Sequence, residues 1–565
     1  MSFTRPYPWE RSYPPGVHWD APIAMGAVPA ILDQSAKTYG DKPAIEYRDR
    51  QISYRELAAL SQRAAEGFRR IGVTRGTPVA VYLPNTPYHL IAFFGVLRLG
   101  ARIVHLSPLD AERELAFKLS DSGARILMTT NFPLMLPRAL KLLQGGHAER
   151  LIIGDDARWG SPPIPLEAIN ESDRILNFES LLALEPGSAF PEISPDDIAV
   201  LQYTGGTTGT PKGAMLSHGN LTAAVSIYGV WQSGQGVLPG QDRVICALPL
   251  FHIYALTSVM LRAIQSGNEL MLRPRFDVET TLRDIEVKHA TTFPGVPTMW
   301  IALNAVPGIE KRDLSSLKHC YSGGAPMPVE VQQRFERLTG HSIRGGWGMT
   351  ESSPAGTNLP YRGSFPPGTI GLPLPGILID VVALDDSTRV LEFGETGEMR
   401  IKGPNVFKGY WNRPEETAAS YVDGFFLTGD IVYMQEDGYL FLVDRKKDMF
   451  ISGGFNVYPQ VVEQAIYEHP DIEEVMVIGI LDSYRGEAGK AFVKLRPGAP
   501  EPTLDALHEF LADKVGKHEM PSALEIRPAL PRTSVGKLSK KVLVEEERNK
   551  HAAGAAPGPL KSASS

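Results

Sequence analysis

Residues 198–213 read IAVLQYTGGTTGTPKG: a short apolar segment, Ile198 to Leu201, runs into a loop of glycine and threonine that ends on a single lysine. Only glycine lets a backbone approach a charged ligand without Cβ interference. Successive amide N–H groups in such a loop form a concave anion site, threonine hydroxyls add donors, and Lys212 adds a full positive charge. The pattern predicts a polyphosphate ligand. It is not a Walker loop, which sets glycine directly before the lysine and serine or threonine directly after it. Here Thr210 and Pro211 separate Gly209 from Lys212, and Gly213 follows. The commonest NTPase architecture is thereby excluded.

Outward from this loop the chain alternates between helical and extended patterns. Tyr54 to Ile71 sets Leu57, Leu60, Ala64 and Phe68 near helical spacing and stops at Gly72. Pro78 to Leu83 reads as a buried strand, Tyr88 to Leu99 as a helix closed by Gly100, and Ala101 to Leu106 as another strand. Ile126 to Thr129, Leu151 to Ile153, Arg243 to Leu248 and Glu269 to Met271 continue the series. Such alternation predicts an α/β fold whose parallel sheets are covered by helices on both faces. At Asp444-Arg445-Lys446-Lys447-Asp448 the texture changes. Taken alone, this charged run is a solvated turn. The residues beyond it carry their own strand and helix signals, enough for a small α+β domain. From Lys550 the chain is rich in Ala, Gly, Pro and Ser, which predicts a disordered tail.

Bulk properties narrow the function. A chain of 565 residues exceeds what one core usually organises. A net charge of −7 argues against nucleic acid as the partner, since phosphate neutralisation needs a basic face. Cys246 and Cys320 are the only cysteines, so neither a disulfide scaffold nor a zinc site is expected, and a reducing cytoplasm is the natural home. Met1 to Trp19 lacks the apolar segment of a signal peptide. The longest apolar stretch, around Leu90 to Leu106, is broken by Arg98 and Arg102, so no membrane-spanning helix is expected. Peripheral contact with the inner membrane face and a homodimer stay open.

Five further segments sharpen the phosphate reading. Pro249-Leu250-Phe251-His252-Ile253-Tyr254 sets a histidine and two aromatics just after a strand. Ser322-Gly323-Gly324-Ala325-Pro326 is a nearly side-chain-free loop suited to a planar ring. Gly345-Gly346-Trp347-Gly348-Met349-Thr350-Glu351 joins an aromatic face to a hydroxyl and a carboxylate. Thr428-Gly429-Asp430 offers a carboxylate able to accept both ribose hydroxyls. Pro531-Arg532-Thr533-Ser534-Val535-Gly536-Lys537 ends in a lysine on a Gly-containing turn. On these motifs, in this order over about residues 25 to 545, the chain resembles the adenylate-forming (ANL) superfamily of acyl-CoA synthetases, luciferases and peptide-synthetase adenylation domains. Residues 248–256 and 443–459 look particularly like bacterial fatty acid–CoA ligases.

The resemblance implies a large N-terminal domain over 1–443, built from layered α/β subdomains and a small β-barrel. It also implies a hinge at 444–448 pivoting on Lys447, a mobile C-terminal α+β domain over 449–545, and a disordered tail over 546–565. ATP, Mg²⁺ and coenzyme A are the implied co-substrates and cofactor. A carboxylate would attack the α-phosphate of ATP and release pyrophosphate; the CoA thiol would then displace AMP. Both first reactants are anions, so positive charge and in-line positioning carry that step. By similarity Thr204, Gly205, Gly206, Thr207, Thr208 and Gly209 wrap the β- and γ-phosphates and Lys212 steadies the pyrophosphate. Glu351, with Thr204, would hold Mg²⁺, because a carboxylate beside a triphosphate otherwise has the wrong charge. Trp347, flanked by Gly346 and Gly348, would stack on adenine opposite Gly324-Ala325-Pro326, and Thr350 would touch the nucleotide. Family members usually carry tyrosine at Trp347, so any contact of that hydroxyl is lost. Asp430 and Arg445 would bind the ribose. Lys537 would bridge the substrate carboxylate and the α-phosphate, and acetylation there would silence it. The small domain would then swing to bring Gly453 and Gly454 against pantetheine, where side chains would block the tunnel.

His252, Tyr254, Leu256, Val296, Pro297, Thr298, Gly323, Gly346 and Met349 are the expected acyl-site wall. They are mainly apolar, with no evident cation for a second carboxylate, which favours aliphatic monocarboxylates; the resemblance points to medium- or long-chain fatty acids. Dicarboxylic or aromatic acids, and free-standing loading of a carrier protein, are the alternatives. No Gly-Gly-x-Ser carrier site follows Lys537. Cys246, Cys320, His218 and His319 are read as structural.

Overall fold

In the computed structural model, which describes residues 4–554 except 163, 188, 205–210, 483 and 534–535, two seven-stranded sheets form the body of the protein. One runs, in spatial order, Ile175–Asn177, Arg150–Gly154, Ile126–Thr130, Pro78–Val81, Arg102–His105, Ile198–Thr204 and Lys212–Ser217. The other runs Ile343–Gly345, His319–Ser322, Thr292–Gly295, Arg243–Cys246, Glu269–Leu272, Pro43–Tyr47 and Arg50–Ser53. Each is parallel until its last pair, an antiparallel hairpin. The expected strand–helix alternation is therefore what builds the sheets. Helix Pro87–Leu97 is buried at every position. Its apolar residues leave no polar face, so it must lie inside the layers. A single core runs from Val79, Val81 and Ile103 of the first sheet, through this helix, to Ile45 and Ile245 of the second. A separate core under Ala80, Val104, Leu127 and Leu151 covers the first sheet's other face.

Where the resemblance implies a small barrel there is an antiparallel sheet of Leu378–Val382, Gly397–Lys402, Tyr421–Val422, Phe425–Met434 and Leu440–Arg445. Among the described residues no ladder joins its first strand to its last. Its last strand delivers the charged run. Beyond it, Phe450–Ser452, Phe455–Val457, Ile472–Asp482, Gly486–Leu495 and Ala523–Ile526 form a further sheet with its own core of Val462, Ile466, Val475, Val493, Leu507 and Leu511. That is the expected α+β texture. Helix Lys540–Gly554 corrects the tail boundary: it carries ordered chain past residue 546, because Leu543 packs into a satellite core with Phe492 and Leu530. Among the described residues no helix is long and apolar enough to cross a membrane.

Candidate active site

The hairpin Ile198–Thr204/Lys212–Ser217 pairs Thr204 with Lys212, so the predicted phosphate loop falls between the last two strands of its sheet, Lys212–Ser217 being the edge. Its residues Gly205 to Gly209 lie outside the described residues. Thr204 reaches a cavity of about 310 Å³ that opens at the carboxyl ends of Thr292–Gly295, His319–Ser322 and Ile343–Gly345. Crevices beyond the ends of parallel strands are where such sheets bind ligands. Lys212 does not line it. Its ammonium pairs with Glu416 and lies 5.4 Å from the Tyr410 ring centroid. Arg413 spans the same helix turn, between Glu416 and Asp121.

The loops after Ser322 and Gly345 face each other across a parallel ladder. Trp347 is buried between them, and Gly356 lies under its indole, where a Cβ would come within 2.3 Å of the ring. The indole Nε1 donates to Asp430 Oδ2 at 2.7 Å. Arg445, paired with Asp430 across the two strands, sets Nε 2.5 Å from Oδ1. Sequence puts Asp430 on the ribose; here it is fully buried behind Trp347 and Arg445, and each of its carboxylate oxygens faces a protein donor. Burial raises its pKa against the opposing charge of Arg445. Thr350 and Glu351 begin a short turn at the cavity wall. Glu351 is buried, accepts the Tyr410 hydroxyl at 2.8 Å, and has its pKa raised by burial. Among the described residues no three His, Cys, Asp or Glu gather as a metal cluster.

Lys537 enters the same cavity from the C-terminal region. Its turn is closed by Thr533, whose N–H donates to Lys537 O at 2.6 Å, and is docked by the Thr298 hydroxyl on Gly536 O at 3.1 Å. Gly324 makes the approach possible. It sits at φ +77°, and a Cβ there would fall 2.8 Å from Lys537 Cε and 3.0 Å from Nζ. Among the described residues no carboxylate pairs with Lys537; burial, with the charge of Arg445, lowers it to about 8. Burial and then the Lys537 charge push His252 down to about 3, so its imidazole is neutral and its Nδ1 accepts the Tyr254 N–H at 3.3 Å.

The acyl-wall expectations divide. His252, Tyr254, Gly323, Gly346 and Met349 line the cavity, and a Cβ on Gly323 would strike the Tyr254 ring at 2.9 Å. Val296, Pro297 and Thr298, with Ala325 and Pro326, line the adjoining cleft. Leu256 is a correction: it is fully buried in the core and absent from the wall. It sits two residues, about half a turn, after Tyr254 and so lies on the opposite face of the wide helical turn Tyr254–Leu261, where Arg262 N–H bonds Thr257 O, five residues back. Tyr254, Ser258 and Arg262, spaced four residues apart, line the cavity, and Leu256 does not. Such turns concentrate at functional sites. Arg262, which no motif singles out, is a cation on the same cavity wall. The signal for it was a lone arginine inside the apolar run Ala255 to Ile264.

Gly453 and Gly454 are not at the cavity. They form the exposed turn between Phe450–Ser452 and Phe455–Val457, both with positive φ, and open space surrounds each Cβ position. Lys447 is exposed on the turn after Arg445 and borders a cleft of about 1350 Å³ between the large sheets and the C-terminal sheet. Behind it, buried Asp444 accepts the N–H of Gln460 at 2.7 Å, and Lys540 pairs with Glu463 at 2.9 Å.

A family model described as AMP-binding enzyme matches residues 32–411, and one described as AMP-binding enzyme C-terminal domain matches residues 461–537. The long-chain-fatty-acid–CoA ligase of Bacillus subtilis (strain 168) is 38% identical over 561 residues, covering 96% of this chain and 99% of that protein. A feruloyl-CoA synthase of Amycolatopsis sp. is 35% identical, covering 88% and 94%. The crystal structure of ATP-bound MatB from Rhodopseudomonas palustris superposes with a TM-score of 0.82 at 28% identity, covering 93% of this chain and all of that one.

Proposed function

This chain belongs to the AMP-binding enzyme family, and on that premise we propose that it is an ATP-dependent fatty acid–CoA ligase acting on medium- or long-chain acids. The observation that carries this reading is Lys537: a lysine from the C-terminal region, without a carboxylate partner, seated against Gly324 in a cavity shared with Glu351, Trp347 and His252. An ammonium held there waits for an anion. Its charge would meet the carboxylate oxygen and α-phosphate as the carboxylate attacks phosphorus and pyrophosphate leaves, which is where positive charge lowers the barrier. His252, kept neutral, adds no competing charge beside it. Trp347 presents its ring to adenine opposite Gly324-Ala325-Pro326, with Arg445 on the ribose side and Asp430 steadying both. Lys212 and the loop before it hold the departing pyrophosphate.

Glu351 and Thr204 suit Mg²⁺, which takes one or two carboxylates and fills its remaining positions with phosphate oxygens and water. When bound, that ion would neutralise phosphate charge. In the second step the lysine turn withdraws about Lys447 and the Gly453-Gly454 turn takes its place, leaving a side-chain-free path for the CoA thiol to attack the acyl-adenylate. Acetylation of Lys537 would remove the charge the first step needs.

Similarity to long-chain-fatty-acid–CoA ligases supports the aliphatic substrate. Four cavity tyrosines, Tyr228, Tyr254, Tyr321 and Tyr361, together with the feruloyl-CoA synthase relative, support aromatic acids as the second reading. The test is pyrophosphate release from ATP with saturated fatty acids of graded length, benzoates and cinnamates, each with and without CoA. CoA-dependent turnover of fatty acids is the expected result; turnover confined to the aryl acids would overturn it.

A further inference from the structure

Two cations face the cavity without a carboxylate partner among the described residues. Lys537 is answered by the reaction; Arg262 is not. Its Nε donates to Gln232 Oε1 at 3.0 Å, its Nη1 to Gln265 Oε1 at 2.5 Å, and its Nη2 also reaches Gln232. Both partners are neutral amides. The buried guanidinium groups of the fold are ion-paired, Arg98 with Asp33, Arg273 with Asp284 and Arg400 with Asp380. Partly buried Arg262, like Arg102 and Arg344, meets neutral groups, and of these three only Arg262 lines the cavity. Burial lowers the pKa of Arg262, yet a guanidinium does not deprotonate in proteins, so the charge persists.

A purely structural role would be to tie the end of helix His218–Gln232 to the wide turn. That takes three of the five N–H donors and leaves two on a residue of the cavity wall. The surroundings continue the polar character. Gln232 Nε2 donates to the Tyr361 hydroxyl at 2.7 Å, and Tyr228, Ser258 and Tyr321 line the same cavity. Two carboxylates share the wall: Glu351 accepts the Tyr410 hydroxyl, and the charge of Asp242 is met away from Arg262, by the Thr291 hydroxyl at 2.9 Å and Lys318 at 3.7 Å. A methyl-ended chain reaching Arg262 would strip water from a charge and from several hydroxyls and return nothing. An anionic tail would complete them.

Resting on the ligase reading above, we propose that the acid this enzyme activates carries a second carboxylate at its far end, and that Arg262 binds it. One carboxylate then lies at Lys537 and reacts. The other meets Arg262 on the wall of the same cavity and fixes which acids fit.

The experiment compares CoA-dependent pyrophosphate release for straight-chain α,ω-dicarboxylic acids and for monocarboxylic acids of equal length, in the wild-type protein, Arg262→Met and Arg262→Lys. The expected result is a wild-type kcat/KM at least about tenfold higher for the dicarboxylates, since a site built around a polar group rejects analogues lacking it. Arg262→Met should invert that preference, mainly through KM, while Arg262→Lys retains part of it. The wild-type comparison does not depend on any variant folding. A wild-type preference for monocarboxylates, or a dicarboxylate preference unchanged in a folded Arg262→Met protein, would overturn this assignment while leaving the ligase reading intact. No CoA-dependent turnover of either class would remove both.

Discussion

Lys212 and Lys537 each close a glycine-containing turn, yet the fold handles them in opposite ways. Lys212 is anchored at the base of a sheet-edge hairpin and already has its carboxylate, Glu416. Lys537 arrives on a loop from another sheet system, has no carboxylate among the described residues, and is enclosed until its pKa falls to about 8. A charge that is paired before the ligand arrives must exchange one partner for another and gains little. A charge seated without a partner has paid its desolvation in advance, so an anion entering beside it gains the full interaction. The contrast assigns Lys212 to holding and Lys537 to chemistry.

The sharpest way to break that contrast is to remove each lysine. Lys537→Ala should lower acyl-adenylate formation by roughly 10²–10³-fold, the range for losing one preorganised charge or donor at a reacting oxygen. Conversion of supplied acyl-AMP and CoA to thioester should stay near wild type. Lys212→Ala should act mainly on the KM for ATP. Equal losses in both half-reactions for Lys537→Ala, in a folded protein, would show that the two lysines do not divide the work.

Next in size is the seat itself. Gly324→Ala puts a methyl within van der Waals overlap of the Lys537 side chain, at a backbone conformation that already disfavours alanine. Adenylation should fall by roughly 10–100-fold through kcat, the scale expected when a reacting group is displaced by about an ångström. The thioester step from acyl-AMP should be spared. An unchanged adenylation rate would mean that Lys537 reaches its working position by another route.

Much of this was legible in the chain, and the gaps have physical causes. The strand–helix alternation from Tyr54 to Leu106 and the motif loops at Gly323, Gly346 and Lys537 could be read because each depends on local residue type. Leu256 and Arg262 both turn on which face of the segment after Tyr254 meets the cavity. Ordinary helical spacing already sets Ser258 and Arg262 on the face of Tyr254 and Leu256 opposite it; only the i→i+5 hydrogen bonding of Tyr254–Leu261 is beyond such spacing. The protein partner of Asp430, the indole N–H of Trp347, was not legible because it lies eighty-three residues away in sequence. Glu416 went unremarked because nothing near Pro414–Ala419 signals that the helix end lies against Lys212.

The pH response separates seating from catalysis at Lys537. Its charged form is disfavoured in the seated state, so between about pH 8 and about 10.4 the seated loop binds fewer protons than a released one. Seating of the ligand-free loop should therefore strengthen as pH rises through that window, read as growing protection of the 531–541 segment from protease. Adenylation needs the charge, so its kcat/KM, which reports the free enzyme, should fall by up to about tenfold per unit above roughly pH 8. Lys537→Arg should carry a lower rate without that alkaline limb. A wild-type profile flat to about pH 10 would contradict the enclosed lysine.

The smallest expected effect falls at Glu416, and it tests the other half of the contrast. Glu416 is 42% exposed and Lys212 20%, so their pair is screened and contributes little to folding. What it does is compete: triphosphate must displace a carboxylate before Lys212 can hold the leaving pyrophosphate. Glu416→Gln keeps the shape and removes the competitor. The KM for ATP should drop by roughly two- to threefold, the scale of an exposed pair, with kcat and thermal stability unchanged. Because Arg413 also leans on Glu416, its remaining partner Asp121 should keep the helix in place. Added salt should shrink the difference between variant and wild type, since it weakens the pair that only the wild type has. A rise in the KM would mean that Glu416 orients Lys212 for the phosphates instead of competing with them, and the two lysines would then differ in enclosure but not in readiness.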